Sequence, residues 1–160
     1  MEKMLNEYLQ FSSESNKEQT EKFELNDLIK NTITKFDNNL ITFNKGEEFF
    51  FNGRKLSIQR CLNNLIENST KFANKIEIKF QKLKSNILIY IEDDGPGIPI
   101  QERENVFKPF YKIDKSRSQN SSSVGLGLSI ASDIIRSHGG KMELSDSKFG
   151  GLKILISLPF

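Results

Sequence analysis

A chain of 160 residues, 36% hydrophobic and 28% charged, has enough apolar surface for one compact core and the composition of an ordinary globular domain. Its formal net charge of +2 is too small to make nucleic acid or a membrane surface its main partner, and its apolar runs are strand-sized, short of the roughly 20 residues of a spanning helix. One cysteine, Cys61, excludes an internal disulfide framework and fits a reducing compartment.

"MEKMLNEYLQF" sets Met1, Met4, Leu5, Tyr8 and Phe11 at helical spacing ahead of the polar run "SSESNKEQTEK". One short amphipathic helix does not stand alone. Residues 1–14 therefore read as the tail of an element whose partner lies elsewhere, with a surface helix packed on the rest as the alternative. Residues 15–23 follow as a linker and 24–160 as the domain proper. "LNDLIKNTITKF" is an amphipathic helix with Asn26 at its cap position, and "LITFN" and "EEFFFN" read as short strands. Over residues 55–73, Ile58, Cys61, Leu62, Leu65 and Phe72 form the stripe of a core-facing helix, which makes Cys61 a packing residue rather than a reactive one. "KIEIKFQK" and "NILIYIE" make a hairpin around Ser85. "VGLGLSIASDIIRSHGG" is a further helix stopped by Gly139 and Gly140. "KMELSDS" and "GLKILISLPF" read as two strands joined at Gly150 and Gly151. The pattern is α+β, helices on one side of a mixed sheet.

On the helix over 55–73, Asn64, Asn68 and Lys71 share one stripe. Amide oxygens suit magnesium and an ammonium suits phosphate, although the same residues also make a wet helix face. "DDGPGIP" leaves a buried strand through a turn nearly free of side chains. Gly95 and Gly97 let a ligand approach backbone, Pro96 and Pro99 stiffen the turn, and Asp93 is an acceptor fit to read an exocyclic amine such as that of adenine. An ordinary acidic turn has the same residues. Gly125 and Gly127 open a helix, where free N–H groups favour an anion. Between the two glycine sites, "VFKPFYKIDKSRSQNSSS" has the composition of a basic lid over phosphates, and equally of a plain flexible loop.

Taken in order, the asparagine-bearing helix, the strand ending in "DDGPGIP", "FKPF", the Ser-rich loop and the "GLGL" helix resemble the catalytic ATP-binding domain of sensor histidine kinases, within the GHKL superfamily. The resemblance covers residues 24–160. It implies an α/β sandwich of a mixed sheet packed on one layer of three helices, the Bergerat-type ATP-binding fold, with a mobile ATP lid. It further implies ATP and Mg2+ as cofactors. Carried over, it makes Asn68 the magnesium ligand, with Asn64 lining the same pocket. Lys71 and Lys112 approach the phosphates, Phe72 packs on the adenine, and Asp93 accepts from its amine. Gly95, Gly97 and Ile98 border the nucleotide, Phe107 and Phe110 anchor the lid, and Gly125, Leu126, Gly127 and Leu128 form its far hinge. Glycine is usual in the family near Ser122 or Ser123, so the serines here put lid flexibility and phosphate contact in question.

Hydrolytic members of the superfamily resemble one another in carrying a glutamate four positions before the magnesium asparagine, where it activates water. Here that position is Asn64, and an amide cannot take a proton from water. Transfer to protein is therefore expected rather than hydrolysis, with Glu67 either orienting the incoming imidazole or simply solvated. The single histidine, His138, sits at a helix end without the acidic neighbour of the family's acceptor, and is expected to cap the helix dipole. The acceptor is expected on helices upstream of this chain. The resemblance implies those histidine-bearing dimerisation helices and a response regulator as partners, no nucleic acid, no membrane contact by this fragment, and a monomer. It also implies a cytoplasmic location, whether or not the parent protein is anchored in the inner membrane. Two other readings stay open: a degenerate nucleotide-binding interaction module, and an anti-sigma-factor-type serine kinase.

Overall fold

The computed structural model describes residues 17–37, 39–113 and 127–160, with Asn6 and Leu9 besides. Apart from those last two, the helix expected over residues 1–14 lies outside this set, as do Ser122, Ser123, Gly125 and Leu126. In chain order the elements are β1 (Glu21–Glu24), α1 (Leu25–Ile33), β2 (Ile41–Asn44), β3 (Phe50–Gly53), α2 (Lys55–Phe72), β4 (Ile76–Lys82) and β5 (Asn86–Asp93). Two 3-10 turns at Ile100–Glu102 and Asn105–Phe107 follow, then α3 (Gly127–Ser137), β6 (Lys141–Asp146) and β7 (Leu152–Pro159).

Alternation decides which face of the sheet is dry. Ile76, Ile78 and Phe80 of β4, Ile87, Ile89 and Ile91 of β5, and Leu152, Ile154, Ile156 and Leu158 of β7 are all buried, as a period of two requires of a sheet covered on one side. Register stacks them, with Ile78 opposite Ile91 and Ile91 opposite Ile154. The five strands run β2-β4-β5-β7-β6, with β2 parallel to β4 and the other pairs antiparallel. This is the mixed sheet the sequence implies.

Helices α1, α2 and α3 join these strands in one apolar cluster. α2 buries Ile58, Cys61, Leu62, Leu65 and Ile66, steps of three and four that keep one stripe inward. α3 packs beside it through Ile130, Ala131, Ile134 and Ile135. Cys61 is fully buried, and that burial pushes its thiol pKa up, leaving it an inert packing group. α3 stops at Gly139, whose φ of 79° is left-handed, with N–H groups of Gly139 and Gly140 returning to Arg136 and Ile135 carbonyls at 2.9 Å each.

Three local expectations need correction. Asn26 does not cap α1. Glu24 does, its carboxylate accepting the Asp27 N–H at 2.8 Å. Asn26 is instead fully buried and ties α1 to the next loop, accepting from Gly46 N–H at 3.1 Å and donating to the Glu47 carbonyl at 3.2 Å. Burial alone would raise the Glu24 pKa, but the N–H groups of Phe49 and Asp27 outweigh it and hold the carboxyl below its ordinary value.

Residues 21–24, mostly assigned to the linker, form β1. It pairs antiparallel with β3, with Phe23 opposite Phe51 and their rings edge-on at 5.8 Å. Glu18, also in that polar run, caps α2 by accepting from Leu56 N–H at 2.6 Å, Ser57 N–H at 3.0 Å and Ser57 Oγ at 2.6 Å. The Arg54 side chain at the N-cap position makes no such bond.

His138 caps α3 by hydrogen bonding rather than by charge. Its Nδ1 lies 2.8 Å from the Ile134 carbonyl and its Nε2 accepts the Arg54 N–H at 3.0 Å. Together these fix the neutral Nδ1–H tautomer. Burial, with Arg54 beside it, pulls the imidazole pKa down.

Candidate functional site

α2 sets out the amides. Asn64, Asn68 and Phe72 recur every four residues, so they form one row about 12 Å long on the flank of the buried stripe. Asn64 and Asn68 are half-buried, while Glu67, Lys71 and Phe72 are exposed. Both ends of the row meet another element. A Cβ on Gly127, which opens α3, would stand 4.0 Å from Asn64 Cβ, and one on Gly95 would stand 3.2 Å from the Phe72 carbonyl oxygen. The acidic turn and the glycine-opened helix, far apart in the chain, thus bracket one helix face. The fold brings Gly127 to Asn64 and Gly95 to both Phe72 and Asp93.

The two carboxylates of "DDGPGIP" do different things. Asp94 is structural: its Oδ1 accepts from Asn74 and Lys75 N–H at 2.8 and 2.9 Å and shapes the turn out of α2. Asp93 is 6% exposed at the end of β5, and its Oδ1 accepts from Gly95 N–H at 2.9 Å and Leu152 N–H at 3.0 Å. Both bonds use the same oxygen, so Oδ2 is left to accept from a ligand. The sparse side chains of the turn follow from crowding as well as from access. A Cβ on Gly151 would lie 2.4 Å from both the Asp93 carbonyl oxygen and Asp93 Oδ1, and 2.6 Å from Gly95 N. Gly97 lies against the Gly151 backbone and has φ 71°. Gly151, read from sequence only as a strand joint, is the backing of this site. Its signal was the paired glycines just ahead of a strand.

Beyond Gly97 the chain is pinned at Ile98, whose carbonyl accepts from Arg103 Nε at 2.9 Å. The same guanidinium pairs with Asp146 at 2.5 Å. Sequence reasoning missed Arg103, an unremarkable arginine in a polar run. In the following segment the buried side chain is Val106, and the turn Asn105–Phe107 packs on α3. Phe107 and Lys112 are half-buried, whereas Phe110 is exposed and has φ 66°. The anchor of this segment is thus Val106 rather than Phe110. Tyr111 donates its hydroxyl to Glu102. Gly127 and Leu128 stand half-buried at the start of α3, and Leu128 packs against the core, as does Ile98.

Among the described residues no group of three or more His, Cys, Asp or Glu is arranged to hold a metal ion. A magnesium ion therefore fits only in the manner usual for nucleotide sites, on one or two protein oxygens completed by phosphate oxygens and water. The half-buried Asn68 amide, one turn from Asn64 on the same face, offers such an oxygen.

A family model described as histidine kinase-, DNA gyrase B- and HSP90-like ATPase matches residues 53–160. The chain belongs to that family. The match takes in α2, β5, α3 and β7, the elements that border the asparagine row. The sensor histidine kinase CpxA of Escherichia coli (strain K12) is 38% identical over 108 residues, 67% of this chain and 24% of CpxA. The chain thus spans about a quarter of the length of the curated relatives it matches. The catalytic domain of histidine kinase ThkA superposes with a TM-score of 0.77 at 26% identity, covering 88% of this chain and 95% of that one. The histidine kinase domain of the E. coli osmosensor EnvZ gives 0.66 at 31% identity, covering 87% and 88%.

Proposed function

We propose that the chain is the ATP-binding catalytic domain of a sensor histidine kinase, passing the ATP γ-phosphoryl group to a histidine on helices outside this chain, from which a response regulator takes it. The observation that carries this reading is the row Asn64, Asn68 and Phe72 bracketed by Gly127 and Gly95. The row presents an amide at Asn64, where a hydrolytic site needs a general base, and water bound there keeps its protons. Asp93 Oδ2 accepts from the adenine amine, and the exposed Phe72 ring covers the base. Asn68 would hold magnesium together with the phosphates, and a metal bound there would supply charge neutralisation to the transferring group. Lys71 and Lys112 add to that neutralisation. The loose transition state of phosphoryl transfer asks for little beyond such alignment and charge. Glu67, exposed on α2 next to Asn68, orients the incoming imidazole in this reading.

His138 does not suit the acceptor role. Both of its nitrogens are engaged, and α3 separates it from Gly127 by about 15 Å. The test is magnesium-dependent ATP binding by this chain, followed by transfer to a separately expressed helical hairpin from its parent protein. Acid-labile phosphate on the hairpin is the expected result. Phosphohistidine on the chain alone at His138, or phosphoserine on a partner, would overturn the reading.

A further inference from the structure

Behind the Asp93 turn, on the face of the sheet away from the helices, lies a group of charged and aromatic side chains that the reading above does not use. Glu77 and Glu92 stand directly opposite each other on β4 and β5. Two like charges so placed repel, and Glu92 is only 4% exposed. Lys148, from the turn between β6 and β7, sits between them with Nζ 3.0 Å from Glu77 and 3.9 Å from Glu92. The Glu77 carboxylate holds the Lys148 pKa up. The next residue, Phe149, lies between two ammonium groups, Lys75 at 4.2 Å and Lys148 at 5.1 Å from its ring centroid. Lys75 belongs to the turn that Asp94 holds. Two adjacent residues of the β6–β7 turn are thus tied to β4, to β5, which ends at Asp93, and to the turn that Asp94 holds.

That turn is also closed on itself, with Ser147 N–H on the Gly151 carbonyl at 2.8 Å and Gly150 N–H on the Ser147 carbonyl at 3.0 Å. From it project the two features that fix Asp93: the bare backbone of Gly151, packed on Asp93 and Gly95, and the Leu152 N–H on Asp93 Oδ1. We propose that Lys148 and Phe149 are positioning residues for nucleobase recognition, clamping the β6–β7 turn so that Gly151 and Leu152 hold Asp93 with Oδ2 directed to the 6-amino group of the purine. The inference rests on the reading that Asp93 accepts from that amine. It goes further in making base selectivity depend on an ion-pair and cation–π cluster that touches no nucleotide.

The experiment compares binding of MgATP with that of the magnesium complex of purine riboside triphosphate, which lacks only the amine. The ratio of the two dissociation constants isolates recognition of the 6-amino group from phosphate and ring contacts. The parent chain is expected to prefer ATP by about 10-fold or more, as a hydrogen bond to a charged acceptor implies. Lys148→Met and Phe149→Ala should each lower that ratio several-fold by weakening binding of ATP alone, and Lys148→Arg should restore it. A merely structural role would lower the melting temperature and leave the ratio alone. Asp93→Ala separates the two layers. If it abolishes the preference while Lys148→Met and Phe149→Ala, folded by their melting curves, retain it, the clamp is refuted and the reading of Asp93 stands. If Asp93→Ala keeps the preference, both fall.

Discussion

Gly151→Ala tests the geometry of the cleft at its tightest point. The added Cβ would sit 2.4 Å from Asp93 O, 2.4 Å from Asp93 Oδ1 and 2.6 Å from Gly95 N. Two of these are backbone atoms and the third ends a short, buried carboxylate held by two hydrogen bonds, so the strand-exit turn and the start of β7 must part by about 1 Å to reach van der Waals separation. The bonds to Asp93 Oδ1, now 2.9 Å from Gly95 N and 3.0 Å from Leu152 N, cannot both survive that movement. Loss of one hydrogen bond to a charged acceptor costs about 1.5 to 3 kcal/mol, a fall in melting temperature of about 3 to 12 °C for a domain of this size. A misdirected Asp93 also loses its bond to the base, so MgATP affinity should drop about 10- to 100-fold. Calorimetric titration with MgATP and a thermal melt read the two effects. Gly150→Ala is the comparison without a clash: its Cβ meets nothing within 4 Å, though φ is 93°, so it strains the turn by about 1 kcal/mol or more and should lower affinity less than Gly151→Ala does. A Gly151→Ala protein that melts with the parent and binds MgATP as tightly would refute the account of Asp93.

Asn64→Glu places a general base where the amide now stands, and steady-state ATP hydrolysis should rise several-fold; an unchanged rate would remove the argument from Asn64. Glu18→Ala deprives the first turn of α2 of its cap and should cost about 0.5 to 2 kcal/mol in denaturant unfolding, with MgATP affinity unchanged because the capped end lies a full helix length from Phe72. Equal stability of parent and variant would show that the cap contributes nothing in solution. His138 makes stability depend on pH. Its folded-state pKa lies below the ordinary 6.5, so the unfolded chain binds the proton more readily, and the stabilisation is present above about pH 6.5 and lost as pH falls through the lower folded value. Melting temperature should decline between about pH 7.5 and 5 in the parent, and less steeply in His138→Ala. Parallel declines would mean that the Arg54 N–H does not hold Nε2 unprotonated.

What the sequence disclosed and what it hid divide along a physical line. Elements whose signal lies in their own periodicity were legible. The alternation of β4, β5 and β7 and the stripe of α2 as far as Ile66 appear where the pattern puts them, because each buries a face against the same cluster; Phe72, counted in that stripe from the sequence, is instead 51% exposed. Asp93 at the end of β5, Gly95 in the turn after it and Gly127 at the start of α3 stand out in the sequence by their position, and Asn64 and Asn68 by their spacing on one face of α2. The contacts that hold the set together were not legible, since each pairs residues distant in sequence that carry no local signal. Glu18 in a polar run caps a helix that begins at Lys55, because the Arg54 side chain at its N-cap position makes no capping bond. Asn26 looks like a cap, but the Gly46 and Glu47 backbone groups claim its amide. Gly151 looks like a hinge, and its lack of a side chain matters instead for what lies 2.4 Å away.

The same distinction explains how the domain is braced. α2 runs from the Glu18 and Arg54 corner to the nucleotide cleft, and α3 returns from Gly127 to His138 at that corner. The two helices are packed along their length and joined at the far end through Arg54 and His138. The amide row lies in the C-terminal half of α2, where packing on α3, Gly95 against the Phe72 carbonyl and the Asp94 bonds to Asn74 and Lys75 N–H together set its position. Glycine matters unequally on the two flanks of the row: a Cβ at Gly95 would press to 3.2 Å on both Asp93 Oδ1 and the Phe72 carbonyl oxygen, whereas one at Gly127 would rest in ordinary contact with Asn64 Cβ at 4.0 Å. A side chain at Gly95 would therefore shift the carboxylate relative to the end of α2, and the proposed nucleotide site depends on that relative placement.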